Sequence, residues 1–346
     1  MSAAEFDLIA RIRVRAATRE DVVLGIGDDA ALLQTPPGRQ LVVATDTLNR
    51  GVHFSDDASP VDIGWKALAV NLSDLAAMGA EPAWCTLSLS LPADDDGDAR
   101  SAFVDGFLDG FEALAAQHHV ALVGGDTTRG PLSVCVTVIG FIEPGWALRR
   151  DAARIDDEIW VTGTLGDAAA ALALAGIAPY DEHPVLRNAG DAHTDAARLF
   201  ERLHRPTPRV AVGRALRGLV RAGIDISDGL LADLAHVCRA SSVGACIDAD
   251  ALPASPALAA ACAGDSRRNL QLSGGDDYEL CFTAPPRQHA AIAQALNVGD
   301  LKGTGATACV IGRIEALPSG AAHPVRVQLA DGSPWTPGRN GYQHFG

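Results

Sequence analysis

Apolar residues recur along this chain at two spacings, and each spacing predicts its own element. Between residues 62 and 78, Trp65, Leu68, Ala69, Leu72, Leu75 and Ala76 follow the 3.6-residue period of a helix, and Gly79 closes it. Phe6, Ile9 and Ile12 give a shorter helix over 6–15, and residues 98–117 give a further one. Alternation takes over at Trp84-Cys85-Thr86-Leu87-Ser88-Leu89-Ser90-Leu91, as in a half-buried strand. Leu41-Val42-Val43-Ala44, after the turn Pro36-Pro37-Gly38, predicts a buried strand. Val120-Ala121-Leu122-Val123 predicts another, ending at Gly124-Gly125, and residues 132–142 a third.

Beyond this point the pattern changes. Residues 147–157 are charged and arginine-rich, and Ile159-Trp160-Val161-Thr162-Gly163 opens a new strand–glycine–helix unit. The expected domains are therefore 1–150 and 151–346. The second predicts an alanine-rich helix at 167–176, helices near 208–221 and 229–240, and strands at 244–248, 278–283 and 308–314. Residues 179–200 are weakly patterned, and the tail after 318 has mixed turns with the aromatic residues Trp335, Tyr342 and Phe345. Strands and helices mix in both halves, which predicts two α/β domains.

Composition narrows the function classes. A chain of 346 residues with 48% hydrophobic and 21% charged residues is that of a soluble globular protein. A formal charge of −15 argues against a general nucleic-acid or anionic-membrane surface. No apolar run approaches the ~20 residues a membrane helix needs, and Met1-Ser2-Ala3-Ala4-Glu5-Phe6-Asp7 lacks the apolar core of a signal peptide. The seven cysteines show no C-x-x-C pairing, so reduced buried thiols in a cytoplasmic protein are expected.

The candidate chemistry lies in carboxylates set among glycines, with no lysine or arginine beside them in sequence: Gly27-Asp28-Asp29, Thr45-Asp46, Ser73-Asp74, Gly125-Asp126, Asp225-Ile226-Ser227-Asp228 and Gly275-Asp276-Asp277. Each has a structural explanation when taken singly. Gly and Asp make turns, and Ser227 or Asp228 would serve as an ordinary helix cap. Asp74 lies near the C-terminal end of its helix, where the macrodipole disfavours an anion, with Asn71 one turn earlier to support it. Brought together, such groups repel unless a cation intervenes. All-oxygen ligands suit Mg²⁺, which arrives with phosphates. No G-x-x-x-x-G-K-[ST] is present and the only lysines are Lys66 and Lys302, which excludes a Walker-type site. Arg129 and Arg150 are the candidates for direct phosphate contact, and His53 for substrate contact. Gly163-Thr164-Leu165-Gly166-Asp167 faintly resembles a dinucleotide loop, but its acid would repel a phosphate, so packing and capping are the expectation.

Taken in order, these motifs resemble the thiamine-monophosphate kinase family of the PurM-like ATP-binding superfamily. The likeness runs from Glu5-Phe6 to Tyr342-Gln343-His344-Phe345. Its specific pieces are Gly25-Ile26-Gly27-Asp28-Asp29-Ala30, the Thr45-Asp46-Thr47-Leu48 string with Gly51-Val52-His53-Phe54, Val70 to Ala80, Val123 to Thr128, Asp225 to Leu230, and Ser273 to Leu280. The resemblance implies an α/β fold of the α+β type with two PurM-like domains. The N-terminal one would be a mixed sheet with helices on one face that binds ATP and metal and dimerises. The C-terminal one would be an α/β domain with a substrate-contacting tail. It implies transfer of the ATP γ-phosphoryl group to thiamine monophosphate, the last step in making thiamine diphosphate, by a homodimer using several Mg²⁺ ions. By motif, Asp29, Thr45, Asp46, Asp74, Asp126, Asp225 and Asp228 are the implied metal ligands. Gly125, Asp126, Arg150 and Ser227 are the implied ATP contacts, and His53, Asp276 and Tyr342 those to the thiamine side. Two positions depart from the family pattern: Ala44 replaces a hydroxyl residue, and Asp276 replaces a glutamate.

The implied chemistry is physically self-consistent. A phosphate acceptor is already ionised at neutral pH, so no catalytic general base is expected. Alignment and charge neutralisation are what the reaction lacks. Rival readings are a selenophosphate or aminoimidazole ribonucleotide synthetase-like enzyme and a non-catalytic Mg-nucleotide sensor. A selenophosphate synthetase uses a reactive cysteine or selenocysteine near its N-terminus, whereas the first cysteine here is Cys85, inside a predicted strand.

Overall fold

The computed structural model describes residues 3–93, 97–177, 192–297, 307–317, 320 and 323–342. The chain forms two compact units, one of Met1–Leu75 with Ala80–Gly145 and the other of Ala76–Gly79 with Trp146–Gly346.

In the first unit, helix α1 (Ala3–Arg15) is followed by the short strands β1 (Val22–Leu24) and β2 (Leu32–Leu33), β3 (Gln40–Asn49), α2 (Pro60–Ala77), β4 (Glu81–Leu91), α3 (Gly97–Gln117), β5 (Ala121–Arg129) and β6 (Ser133–Ile142). The long strands make a four-stranded sheet of order β3-β6-β4-β5. Strand β6 runs antiparallel to β3 and β4, whereas β4 and β5 are parallel, so the sheet is mixed. Its inner face, with Val134, Val136 and Val138 fully buried, is covered by helix, and Leu75 of α2 lies against Gly140. On the other face, Leu41 and Val43 of β3 stay 51% and 60% exposed. One end of that face is closed where Val22, Ala31 and Leu33 pack on Trp84 and Phe141, whose rings meet edge to face at 4.9 Å.

Helix α2 starts at Pro60, before the first residue of its apolar stripe, Trp65. The Ser59 hydroxyl accepts the Asp62 N–H at 3.1 Å and donates to the Asp62 carboxylate at 2.7 Å, and Pro60 occupies the first turn. At the other end the Ala80 N–H donates to the Leu75 carbonyl at 2.8 Å across Gly79, which adopts φ +70°. The helix is not amphipathic: every residue from Ala67 to Ser73 is buried, the polar Asn71 and Ser73 included.

Two strands outrun their apolar cores. Strand β3 continues through Thr45-Asp46 to Asn49, and β5 continues through Gly124-Gly125-Asp126 to Arg129. Partners set these lengths. Strand β6 pairs with β3 residue by residue from Gln40↔Ile142 to Asn49↔Ser133. Strand β4 pairs with β5 from Trp84↔Ala121 to Leu91↔Arg129, with one irregularity after Cys85. The acids expected just after these strands therefore lie within them.

In the second unit, β7 (Glu158–Thr162) leads to α4 (Asp167–Leu174), α5 (Ala192–His204), α6 (Val210–Ala215), β8 (Ala222–Asp225), α7 (Leu230–Ser241), β9 (Gly244–Asp248), α8 (Pro256–Ala261), α9 (Gly264–Ser273), β10 (Leu280–Ala284), α10 (His289–Leu296), β11 (Ala308–Glu315), β12 (Val325–Gln328) and β13 (Pro334–Trp335). The strands form one seven-stranded sheet of order β13-β12-β9-β11-β7-β10-β8, antiparallel except for β12 beside β9. Ile159, Val161, Ile224, Leu230, Leu234 and Ile247 centre its core. The tail expected to hold only turns supplies β12 and β13, and the four residues of β8 carry too little pattern to show in sequence. Most of the weakly patterned 179–200 stretch, and Phe345, lie outside the described residues. Among the described residues no helix is long and apolar enough to cross a membrane.

Candidate functional site

In the first unit, Asp29 is exposed in the loop between β1 and β2, where its N–H donates to the Asp28 carboxylate at 2.8 Å. The loop does have a basic neighbour, contrary to expectation. A Cβ on Gly27 would stand 2.7 Å from the Arg13 guanidinium, a residue that α1 brings from outside the motif.

Thr45 and Asp46 leave opposite faces of β3, as successive strand residues must. The Thr45 hydroxyl contacts the Thr137 hydroxyl at 2.9 Å and donates to the Val136 carbonyl at 3.1 Å. Asp46 faces the helix side, and its N–H donates to the Asn71 side chain of α2 at 3.0 Å. The side-chain oxygens of Thr45 and Asp46 therefore do not stand side by side on one face of the strand. Asn71 proves to support Asp46. Asp74, one turn further along α2, is the only half-buried residue between Ala67 and Ala77.

On β5, Asp126 is exposed. The glycine before it serves the sheet: a Cβ on Gly125 would fall 1.8 Å from the Leu87 carbonyl of β4. His53 lies in the turn after β3, where its Nδ1 accepts the Asn49 N–H at 3.0 Å, and the Lys66 ammonium donates to the His53 carbonyl at 3.1 Å. Arg129 is exposed at the end of β5.

In the second unit, five candidates are drawn together by main-chain bonds. Asp225 ends β8 and is 5% exposed. The loop 226–229 follows, with Gly229 at φ +116°, where a Cβ would meet the Ser273 carbonyl at 2.9 Å. Alongside runs 274–278: the Asp276 N–H donates to the Ser227 carbonyl at 2.9 Å and the Tyr278 N–H to the Ile226 carbonyl at 2.8 Å. Asp276 and Tyr278 adopt φ +65° and +49°, strained for non-glycine residues, and the Tyr278 hydroxyl donates to the Asp276 carboxylate at 3.1 Å. The tail docks on the same loop, its Tyr342 N–H donating to the Asp228 carbonyl at 2.9 Å. Arg150 is exposed in this unit, its carbonyl accepting the Ser241 hydroxyl at 2.8 Å.

Buried acids hold this assembly from below. Neither Ser227 nor Asp228 caps α7, as the sequence suggested. Asp233, in the first turn of the helix, instead accepts the N–H groups of Ser227, Asp228 and Gly229 at 3.0, 3.1 and 3.1 Å. Burial first, then Asp225 and Asp228, push Asp233 up to about 8, against the pull of those donors. Asp277 accepts the Gly166 N–H with both oxygens, at 2.9 and 3.0 Å, and burial raises it well above the usual carboxylate range. Glu279, fully buried, pairs with Arg202 at 2.9 Å and with Arg209 at 2.6 and 2.5 Å, and accepts the Thr162 hydroxyl at 2.6 Å. The 163–167 segment is packing, as expected, with Asp167 accepting from Thr164 and Ser255, but its own side chains do not cap α4. Sequence reasoning missed Asp233 and the function of Glu279. The available signal was a lone acid inside an apolar run, Leu230-Leu231-Ala232-Asp233-Leu234 in one case and before Leu280-Cys281-Phe282 in the other.

Among the described residues no group of three or more Asp, Glu, His or Cys side chains stands close enough to cage a metal ion. The donors are nonetheless oxygen-only and pairwise close enough for Asp225 and Asp228 to perturb Asp233. That fits Mg²⁺, which takes one or two carboxylates and completes its shell with phosphate oxygens and water.

Comparison with known proteins agrees with this layout. The family model for the AIR synthase related protein N-terminal domain matches residues 27–142, and its C-terminal counterpart matches 154–323. A thiamine-monophosphate kinase of Salmonella typhimurium is 45% identical over 349 residues, covering 100% of this chain and 99% of that protein. The crystal structure of thiamine-monophosphate kinase from Stenotrophomonas maltophilia superposes with a TM-score of 0.81 at 50% identity, over 97% of this chain and 99% of that one. A structure of AaThiL complexed with AMPPCP and TMP superposes at 0.72 with 30% identity, over 98% and 96%.

Proposed function

This chain belongs to the thiamine-monophosphate kinase family, and we propose that it transfers the γ-phosphoryl group of ATP to thiamine monophosphate, giving thiamine diphosphate. The carrying observation is whole-length likeness at 45% identity combined with the assembly of Asp225, Ser227, Asp228, Asp276 and Tyr342 around one pair of loops. Acceptor and donor are both anionic, and the residues offered to them are acids and hydroxyls. Bound Mg²⁺ would neutralise phosphate charge and align the two reactants for in-line transfer.

We assign the metal-holding function to Asp29, Asp46, Asp74, Asp126, Asp225 and Asp228, without the Thr45 hydroxyl. Ser227 and Arg150 would contact the nucleotide, as would the main chain at Gly125. His53, Asp276 and Tyr342 would orient the thiamine side. Asp276 sits on a strained loop whose N–H is already bonded to Ser227, so its carboxylate position follows that of the nucleotide loop. No side chain is assigned as general base.

We also propose a homodimer. Asp46 and Asp126 lie on opposite edge strands of the four-stranded sheet, three strand spacings or about 14 Å apart. One ion cannot span that gap within a single sheet. A second copy would cover the exposed apolar face around Leu41 and Val43. All seven cysteines are free, five of them buried, and burial pushes Cys238 up to about 12, which suits a reducing cytoplasm.

The test is ADP formation with Mg²⁺ and thiamine monophosphate, compared with hydroxyethylthiazole phosphate and aminoimidazole precursors as acceptors. Turnover that depends on thiamine monophosphate and stops on chelation is expected. Nucleotide binding without turnover would replace the kinase with a sensor, and turnover on an imidazole precursor would replace it with a synthetase.

A further inference from the structure

The loop 227–229 precedes a twelve-residue helix, α7, with three consecutive N–H groups turned to one point. Such a main-chain concavity is a ready-made anion site of the kind phosphate-binding loops use. Here that point is taken by the chain itself. The Asp233 carboxylate fills it through one oxygen, and Asp233 is only 4% exposed. Two further acids, Asp225 and Asp228, stand near enough to repel it. Burial and the two neighbouring acids both work against a charge on Asp233, and the three main-chain donors hold its carboxyl group in place. The arrangement has a consequence for the neighbours. Between Ala222 and Leu231, only Ser227 and Asp228 keep part of their side chains in solvent.

We propose that Asp233 is a positioning residue for nucleotide binding: it consumes the three N–H groups internally, so the loop presents the Ser227 hydroxyl and the Asp228 carboxylate, not its main chain, to the metal-bound phosphates. Rather than gripping phosphate with backbone donors, the loop is held rigid by the internal Asp233 carboxyl group and offers oxygen ligands outward. This rests on the assignment of Ser227 and Asp228 to the nucleotide side. It adds that Asp233 acts through them and touches neither reactant.

The experiment combines steady-state kinetics with amide hydrogen exchange of the full-length protein, for the wild type, Asp233→Asn and Asp233→Glu. In the wild type without ligand, the amides of 227–229 should exchange at least tenfold more slowly than in an unstructured peptide. In Asp233→Asn, exchange at these amides should rise at least tenfold while the strands of the same unit keep their protection. The KM for ATP should rise at least tenfold, and by a larger factor than the KM for thiamine monophosphate, whose contacts Asp276 and Tyr342 lean on the same loop. Asp233→Glu, which keeps the carboxyl group, should recover part of both effects. Unprotected wild-type amides would overturn the proposal even if Asp233→Asn does not fold. So would an Asp233→Asn protein with an unchanged KM for ATP, or one whose exchange rises uniformly. A wild type with no turnover on thiamine monophosphate would instead remove the kinase assignment, and the exchange data would still decide whether Asp233 holds the loop.

Discussion

The two units present their acids by different physical means. In the first, Asp46 and Asp126 are members of regular strands, placed by sheet register and strand alternation, with Asn71 of α2 taking the Asp46 N–H. In the second, Asp225, Ser227, Asp228 and Asp276 lie at a strand end and in two loops with left-handed residues at 276 and 278. A strand satisfies its main chain through its neighbour and carries a polar side chain without strain. The two loops satisfy only part of their main chain through each other. Asp233 takes three N–H groups of one, and Asp277 and Glu279 join the other to the core. Function and stability should therefore separate in the first unit and entangle in the second.

The sharpest way to break that contrast is at Glu279. Glu279→Ala leaves Arg209 buried without its counter-ion, which should destabilise the protein by about 3–5 kcal/mol. Urea unfolding measures it, and a loss below about 1 kcal/mol would mean the loop does not depend on its buried support. In the first unit the expectation reverses. Asp126→Asn, on an exposed strand position, should lower turnover by about 10²-fold or more and move the unfolding free energy by less than about 0.5 kcal/mol. Asp74→Asn should likewise abolish turnover with the fold intact, as circular dichroism and the coupled assay would show. If Asp126→Asn unfolded the unit, strand placement would not be free of stability.

A smaller effect sharpens the comparison within the sheet. Gly125→Ala places a methyl group 1.8 Å from the Leu87 carbonyl, and relieving that overlap should cost about 1–3 kcal/mol. A neutral result by thermal unfolding would assign that glycine to the ligand and not to the β4–β5 ladder.

The smallest expected signal is a pH slope. Burial raises Asp277, with Arg202 opposing and Asp167 and Glu279 reinforcing. A carboxyl raised in the folded state contributes stability that is complete below its unfolded value, about 3.9, and is lost as pH rises through the folded value. Asp277→Asn mimics the neutral form, so its stability relative to wild type should increase with pH. Unfolding free energies from about pH 4 to about pH 8 test this, and a difference that does not change with pH would mean Asp277 titrates alike in both states.

Particular residues show how far the sequence reached. The stripe from Trp65 to Ala76 located α2, and alternation from Trp84 to Leu91 located β4, because side-chain periodicity is local. The same locality misplaced Thr45-Asp46 and Gly125-Asp126. Their strands extend because β6 and β4 pair with them, and a partner distant in sequence leaves no local mark. Strand β8 was invisible for the same reason: Ala222–Asp225 becomes a strand only beside Leu280–Thr283 of β10. Ser227 and Asp228 looked like caps because a hydroxyl or acid before a helix usually is one. Asp233 overrode them from within the helix.

The sequence by itself determined which residue types are available: hard oxygen ligands in glycine-rich punctuation, a net negative charge, no Walker lysine, and motifs whose order marks one family. Composition and short-range periodicity are enough for that, since each depends on neighbours a few residues away. Only the tertiary structure decided that Thr45 and Asp46 part to opposite faces, that Gly125 yields to the Leu87 carbonyl, and that Asp233 holds the loop its own helix follows. These outcomes depend on contacts between distant segments, where burial, charge and main-chain hydrogen bonding act together and no single stretch of chain encodes them.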